Sequence, residues 1–419
     1  MRTWTTLLVG LSLLGSAAGQ EKEKFLTLSW GDVIHGMEGV LQLDTPEKVL
    51  EATRNWKRNG VDKVMFRVDD FRVVLYHDVT VDGKNEYLRE WIKITRRAWK
   101  EGLVKTAVDA LKAAGIEVYM WIAPTDEGRP PDVNVFDMGP TGRAFWPWHS
   151  KFTKANTQFL VHDRSLTTNG RQYQWHVMEY AYPEVRDYMI NKIIRTFSDG
   201  FDFDGVFLSI RSHGLPPDHA DQYGFNQPIV EEYKRRYGRD ILREDFDVEK
   251  WRELRGEYFT LFLRELKAHL KTKGQKLSIG IQQGEYIGPP FGNMRIQWRQ
   301  WIEEGIIDDL VLGHITRVRS RYPERIQRTW GYLQNQETGL GLPPLVQAIR
   351  RDYGPLCQKY GVKLYVEPGN FLRFHEHPAV GRAGPTTEAT KRLRKQLELL
   401  PQVTGLSASY REVTRSSKP

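Results

Sequence analysis

The 419-residue sequence holds one cysteine, Cys357, so no intrachain disulfide can staple it and its stability must come from a buried core. Cys357 falls in the helical pattern PLVQAIRRDYGPLCQKYG, where a thiol acts by default as a small hydrophobe. Beyond the first twenty residues there is no apolar run long enough to cross a bilayer, and no cysteine follows that stretch to accept a lipid. The sequence also lacks GxSxG, a Walker-type phosphate loop, HExxH and the dinucleotide fingerprint, which removes the serine-hydrolase, nucleotide and zincin readings and leaves no cofactor implied. A net charge of +8 is spread among acidic residues, as in KRLRKQLELL, and reads as solvated helix faces, so nucleic acid is not an expected partner.

What is present begins with MRTWTTLLVGLSLLGSAAGQ. Arg2, the apolar run Leu7 to Leu14 and the small residues Ser16 to Gly19 follow the order of a secretory signal, ahead of charged EKEK. Residues 1–19 are therefore expected to be removed and residues 20–419 to be exported, to a bacterial periplasm or exterior, with no membrane insertion. Composition fits a globular chain, 40% hydrophobic and 12% aromatic.

Short β-rich runs alternate with helical patterns along the mature chain. The strand candidates are KFLTLSW, DKVMFRV, IEVYMWIA, DGVFLSI, KLSIGIQ, DDLVLGHI, VKLYVE and VTGLSASY, separated by segments such as TPEKVLEATRNWKRNG with a stop glycine. Eight strands divided by helices predict an α/β fold, one (β/α)8 TIM barrel. Two connections are long: Asp126 to Tyr182, after the third strand, and His213 to Lys250, after the fourth. Both belong at the C-terminal mouth, where such barrels build their clefts.

Period-two alternation then selects the inward residues: Met65, Arg67 and Asp69; Tyr119 and Trp121; Phe207, Ser209 and Arg211; Ser278, Gly280 and Gln282; Lys363, Tyr365 and Glu367. On this pattern the polar residues gather at the C-terminal end. Glu367, in LYVEPGNF, is a carboxylate at a strand end followed by Pro-Gly, held where a nucleophile or base is needed; the alternative is an ion pair with Arg67 or Arg211. Glycoside cleavage needs a second carboxyl, for which Glu285 in GIQQGEY is first choice and Asp69 or Asp70 in RVDDF is next. Glu285 reads equally well as a solvated loop residue.

Arg67, Asp70, Arg211, His213, His314 and Asn370 are the expected polar contacts to sugar hydroxyl or anionic groups, although a lone histidine such as His314 is as readily a satisfied core residue. Trp30 and Trp121 are candidate platforms for sugar rings, with Trp146, Trp148 and Trp175 behind them; packing is the plainer role for any one. His213, Asp218, His219 and Asp221 cluster in sequence, but their spacing matches no specific metal site.

The segments YPEVRDYMINKIIRTFSDGFDFDGVFLSIRSH, YGFNQPIVEEYKRRYGRDI and WRQWIEEGIIDDLVLG resemble the family-10-like glycosyl hydrolases, secreted bacterial proteins with a (β/α)8 barrel. The resemblance runs from the fourth strand through the sixth. It implies a glycan-cleaving enzyme whose partner is a carbohydrate. Pro183 to Asp187, Asp204, Gly205 and Arg211 follow the family pattern, but Ser209 stands where an acid is expected. A hydrolase built on this chain must take its acids from other strands. The alternatives are a carbohydrate-binding barrel without catalysis and, further off, a lyase or metal-assisted enzyme using Arg211, His213 and His314.

Overall fold

In a computed structural model, Thr45 accepts from the Lys48 amide and Pro46 supplies a preset φ, and together they start α1 (Pro46–Arg58), the first helix among the described residues. The helix ends in Lys57 and Arg58, whose charge suits a C-terminus, and Gly60 at φ +69° turns the chain into a strand. The same device recurs: Gly115 and Gly361, also left-handed, each precede a barrel strand. The structure describes residues 21–29, 43–79, 86–125, 127–129, 148–168, 177–210, 221–287, 294–313, 344–368, 388–408 and 413. The signal-like residues 1–19 lie outside them.

Eight parallel strands close on themselves in sequential order: β1 (Glu23–Ser29), β2 (Val61–Arg67), β3 (Glu117–Ile122), β4 (Gly205–Ser209), β5 (Lys276–Ile281), β6 (Asp309–Leu312), β7 (Lys363–Val366) and β8 (Gly405–Ser407). Each falls on one of the eight expected runs. The protein is a TIM barrel. Helices that matter below are α2 (Asp69–Tyr76), α3 (Leu103–Ala113), α4 (Val248–Lys271) and α5 (Trp298–Glu303). Among the described residues no helix is long and apolar enough to cross a membrane.

The alternation read from sequence holds in three dimensions. Val64, Phe66, Val68, Val206, Leu208, Leu277 and Ile279 join the large core between strands and helices, whereas Phe25, Met65, Tyr119, Trp121, Phe207, Val311 and Tyr365 form a separate cluster inside the barrel. Cys357 is buried in the outer core, and burial pushes its thiol up to about 12.

One expectation needs correction: polar inward residues do not gather only at the mouth. Lys363 begins β7 at the opposite end, where its ammonium bonds Glu23 at 2.8 Å. The same floor holds Lys63, fully buried, with its ammonium 2.7 Å from Asp309 and 3.0 Å from Glu117. Two tyrosine rings flank that ammonium, Tyr119 at 4.4 Å and Tyr365 at 4.3 Å from the ring centres. Both rings fit because their strand neighbours are Gly205 and Gly405, where an added Cβ would come 2.6 and 2.8 Å from the tyrosine carbons.

Candidate functional site

The inner rim of the mouth is assembled by strand register. Arg67 ends β2 beside Trp121 of β3, Trp121 is opposite Phe207, and Ser209 ends β4 beside Gly280. On the far side Leu312 pairs with both Ile281 and Val366, and the Glu367 amide extends that ladder by donating to the Leu312 carbonyl at 2.9 Å. Glu367 is therefore the next inward position after Tyr365, and it is only 2% exposed. Trp121 and Phe207 meet edge to face at 6.1 Å and line the well between these polar groups.

Arg67 is held rather than free to swing. Its Nε donates to Asp69 at 3.0 Å, and its guanidinium lies 5.6 Å from the Trp121 ring centre. Asp69 is not on the strand, which stops at Arg67. It opens α2, where a carboxylate is favoured by the helix N-terminus. Both of its oxygens accept from the Ala123 amide, at 3.0 and 3.2 Å, and Arg72 lies 3.2 Å away. With this many donors around it, Asp69 fits the work of fixing Arg67 better than that of transferring a proton. Asp70, one residue on, is half-buried in the first turn of α2.

Sequence reasoning missed the continuation of this chain. Arg72 bonds Glu127 at 2.8 Å and the Ala123 carbonyl at 3.2 Å; Tyr188 donates to Glu127 at 3.4 Å, and His77 Nε2 is 3.6 Å from it. Burial pushes the Glu127 carboxyl up, but Arg72 and His77 outweigh it and hold the group below its ordinary range. Arg67, Asp69, Arg72 and Glu127 thus carry two positive and two negative charges through a buried line that cancels overall. Arg72 sits one helical turn after Asp69, a spacing visible in RVDDFR, but Glu127 comes from an irregular segment whose direction no periodicity reveals.

Glu285 is engaged elsewhere. Arg299 donates to both of its oxygens at 2.7 and 2.8 Å, Trp298 Nε1 donates at 3.3 Å, and the Arg299 guanidinium stacks 4.2 Å from the Trp298 ring. These partners open α5, so the contacts described for Glu285 are with the helix layer and not with the rim that carries Glu367. Asp221 is likewise occupied, accepting from Arg252 at 3.0 and 2.6 Å. Trp30, Trp146, Trp175, Arg211, His213, Asp218, His219, His314 and Asn370 lie outside the described residues. A further buried carboxyl, Glu179, stands 3.8 Å from Arg255, and burial outweighs that cation in pushing its pKa up.

The stretch that runs on from the third strand across β4, β5 and β6 carries a family likeness. Residues 146–339 match the family glycosyl hydrolase-like 10. The family match includes Ser209, Arg211, His213, Gln282, Glu285 and His314, while Arg67, Trp121 and Glu367 lie beyond it. No curated protein sequence matches the chain. Among solved structures, similarity extends to a β-galactosidase from the psychrophilic Marinomonas ef1, at 10% identity over 83% of this chain and 48% of that one, with a TM-score of 0.43. A noncanonic maltogenic α-amylase from Thermotoga neapolitana is similar at 12% identity over 82% and 58% of the two chains, TM-score 0.38. An α-L-fucosidase from Paenibacillus thiaminolyticus is similar at 11% identity over 83% and 41%, TM-score 0.38. The chain spans about half the length of these structures.

Proposed function

We infer that the protein is an exported glycoside hydrolase acting on a poly- or oligosaccharide, with Glu367 as its nucleophile or general base. The observation that carries this reading is the placement of Glu367: a buried carboxylate at the end of β7, on the inward layer of a barrel mouth that also presents Arg67 and Trp121. The glycosyl hydrolase-like 10 match supports the carbohydrate class, and the signal-like N-terminus supports export. Cleavage needs a second carboxyl as proton donor. Glu285, the first choice for that role from the sequence, would have to exchange Arg299 for the glycosidic oxygen when substrate binds.

A second reading, a barrel that binds glycan without cutting it, is favoured by one specific feature: Ser209, buried at the end of β4 where the family resemblance calls for an acid. The two readings part in a glycan panel assayed for new reducing ends. For a hydrolase, wild type releases product and Glu367→Gln loses two or more orders of magnitude in turnover, since the isostere keeps shape and removes charge. Sugar binding with no product from wild type establishes the binding barrel instead. Product at an undiminished rate from Glu367→Gln would remove Glu367 from the chemistry.

A further inference from the structure

Three residues just beyond their strands occupy one inward layer. Since Leu312 pairs with Ile281 on one side and Val366 on the other, the following residues, Gln282, Gly313 and Glu367, align across β5, β6 and β7. Gln282 and Glu367 are separated by one strand, which puts their backbones about 10 Å apart at ordinary strand spacing. The residue between them has no side chain. Gly313 takes φ +79°, a left-handed conformation that favours glycine.

Gln282 is buried, and its amide is oriented by a specific contact: Nε2 donates to the Tyr286 carbonyl at 3.0 Å. That bond settles which end of the amide is which, because a carbonyl can face only the donor end. Oε1 is consequently an acceptor, and among the described residues it has no hydrogen-bond partner. Tyr286 is itself tied down, its hydroxyl donating to Glu249 at 2.9 Å at the start of α4. The glutamine is therefore a fixed, desolvated acceptor waiting for a donor, and leaving such a group unpaired is costly.

The geometry points to Gln282 as a substrate-binding residue that accepts a hydrogen bond from a hydroxyl of a sugar ring seated between it and Glu367. This rests on the glycan-acting reading above. An amide oxygen takes O–H and N–H donors, so the ring at this position turns a free hydroxyl toward it. A buried polar group that needs a donor discriminates strongly against a ligand lacking it.

The test is calorimetric binding of cello-, malto-, chito- and galacto-oligosaccharides to wild type, Gln282→Met and Gln282→Asn, with folding of each variant checked by circular dichroism. For a sugar that wild type binds, its monodeoxy analogues are then compared. One deoxy position should weaken wild-type binding at least tenfold. Gln282→Met should bind the parent sugar at least tenfold more weakly and no longer distinguish it from that analogue. Gln282→Asn, which keeps the amide but withdraws it, reports the same loss should the methionine variant fold poorly. Equal affinities of wild type and both variants, or an unchanged deoxy discrimination, overturn the role of Gln282 while leaving the glycan-acting reading intact. If wild type binds no sugar in the panel, the glycan-acting reading fails and takes this assignment with it.

Discussion

Replacing Lys63 by methionine tests the account of the barrel floor. The substitution keeps most of the side-chain volume and removes an ammonium that bonds Asp309 at 2.7 Å and Glu117 at 3.0 Å between two tyrosine rings. Glu117 loses little, because it is partly solvated and keeps Lys276 as a partner. Asp309 loses its only described ammonium partner while remaining 1% exposed, and breaking one side of a buried pair costs about 3–5 kcal/mol. Burial already holds the Asp309 carboxyl above its ordinary range despite Lys63, so the variant should relieve its strain by taking a proton. The sign follows from proton binding. A carboxyl whose folded pKa is raised binds more protons in the folded state, so stability is lost as pH climbs from the unfolded value through the folded one. The deficit of Lys63→Met relative to wild type should therefore be smaller at pH 5 than at pH 8. Adding Asp309→Leu should recover most of the loss, since an apolar pair of similar volume is commonly as stable as the ion pair it replaces. Denaturant unfolding followed by tryptophan fluorescence reads wild type and both variants. A loss under about 1 kcal/mol for Lys63→Met, or a double variant no better than the single, would refute the claim that this ammonium exists to balance Asp309.

Other consequences follow from the rim and the packing. Asp69→Asn should leave the fold in place but lower sugar affinity about tenfold, because Arg67 loses its anchor; unchanged affinity in the calorimeter would make Arg67 a bystander. Glu127→Gln should cost about 3 kcal/mol at pH 7 by leaving buried Arg72 with Asp69 as its one carboxylate partner among the described residues, and since the native carboxyl is held below its ordinary range, the wild-type advantage should fade as pH falls below about 4.5, as unfolding midpoints across pH would record. Gly205→Ala puts a methyl 2.6 Å from the Tyr119 ring and from the Lys276 carbonyl, and should destabilise by about 1–3 kcal/mol, with Tyr119→Leu partly rescuing it. Cys357 should resist a thiol reagent in the native protein and react on unfolding; modification at the rate of a free thiol would contradict its burial.

Much of the barrel could be read from the sequence because its signal is local. A run such as VMFRV alternates between two apolar environments, and the inner and outer clusters divide at the residues the alternation names. The same rule, carried two residues back, would have found the floor: Lys63 precedes Met65, Glu117 precedes Tyr119 and Asp309 precedes Val311 by one period. An expectation that confines the polar residues to the C-terminal strand ends passes over it. Past the strand ends the rule lapses. Extending the alternation puts Asp69 on the inward face of β2, but the strand stops at Arg67 and a helix begins, which makes the carboxylate the brace of an arginine. Glu285 lies in an irregular turn where only tertiary contacts decide direction, and Arg299, fourteen residues on, captures it.

The ammonium, its carboxylates and the paired tyrosines also act as a stopper. With Lys63, Tyr119, Tyr365 and Asp309 filling the bore at the N-terminal end, the barrel is a cup and not a pipe. No polymer can be threaded along its axis. Anything that reaches the inner layer of Arg67, Trp121 and Glu367 therefore enters and leaves by the C-terminal end alone.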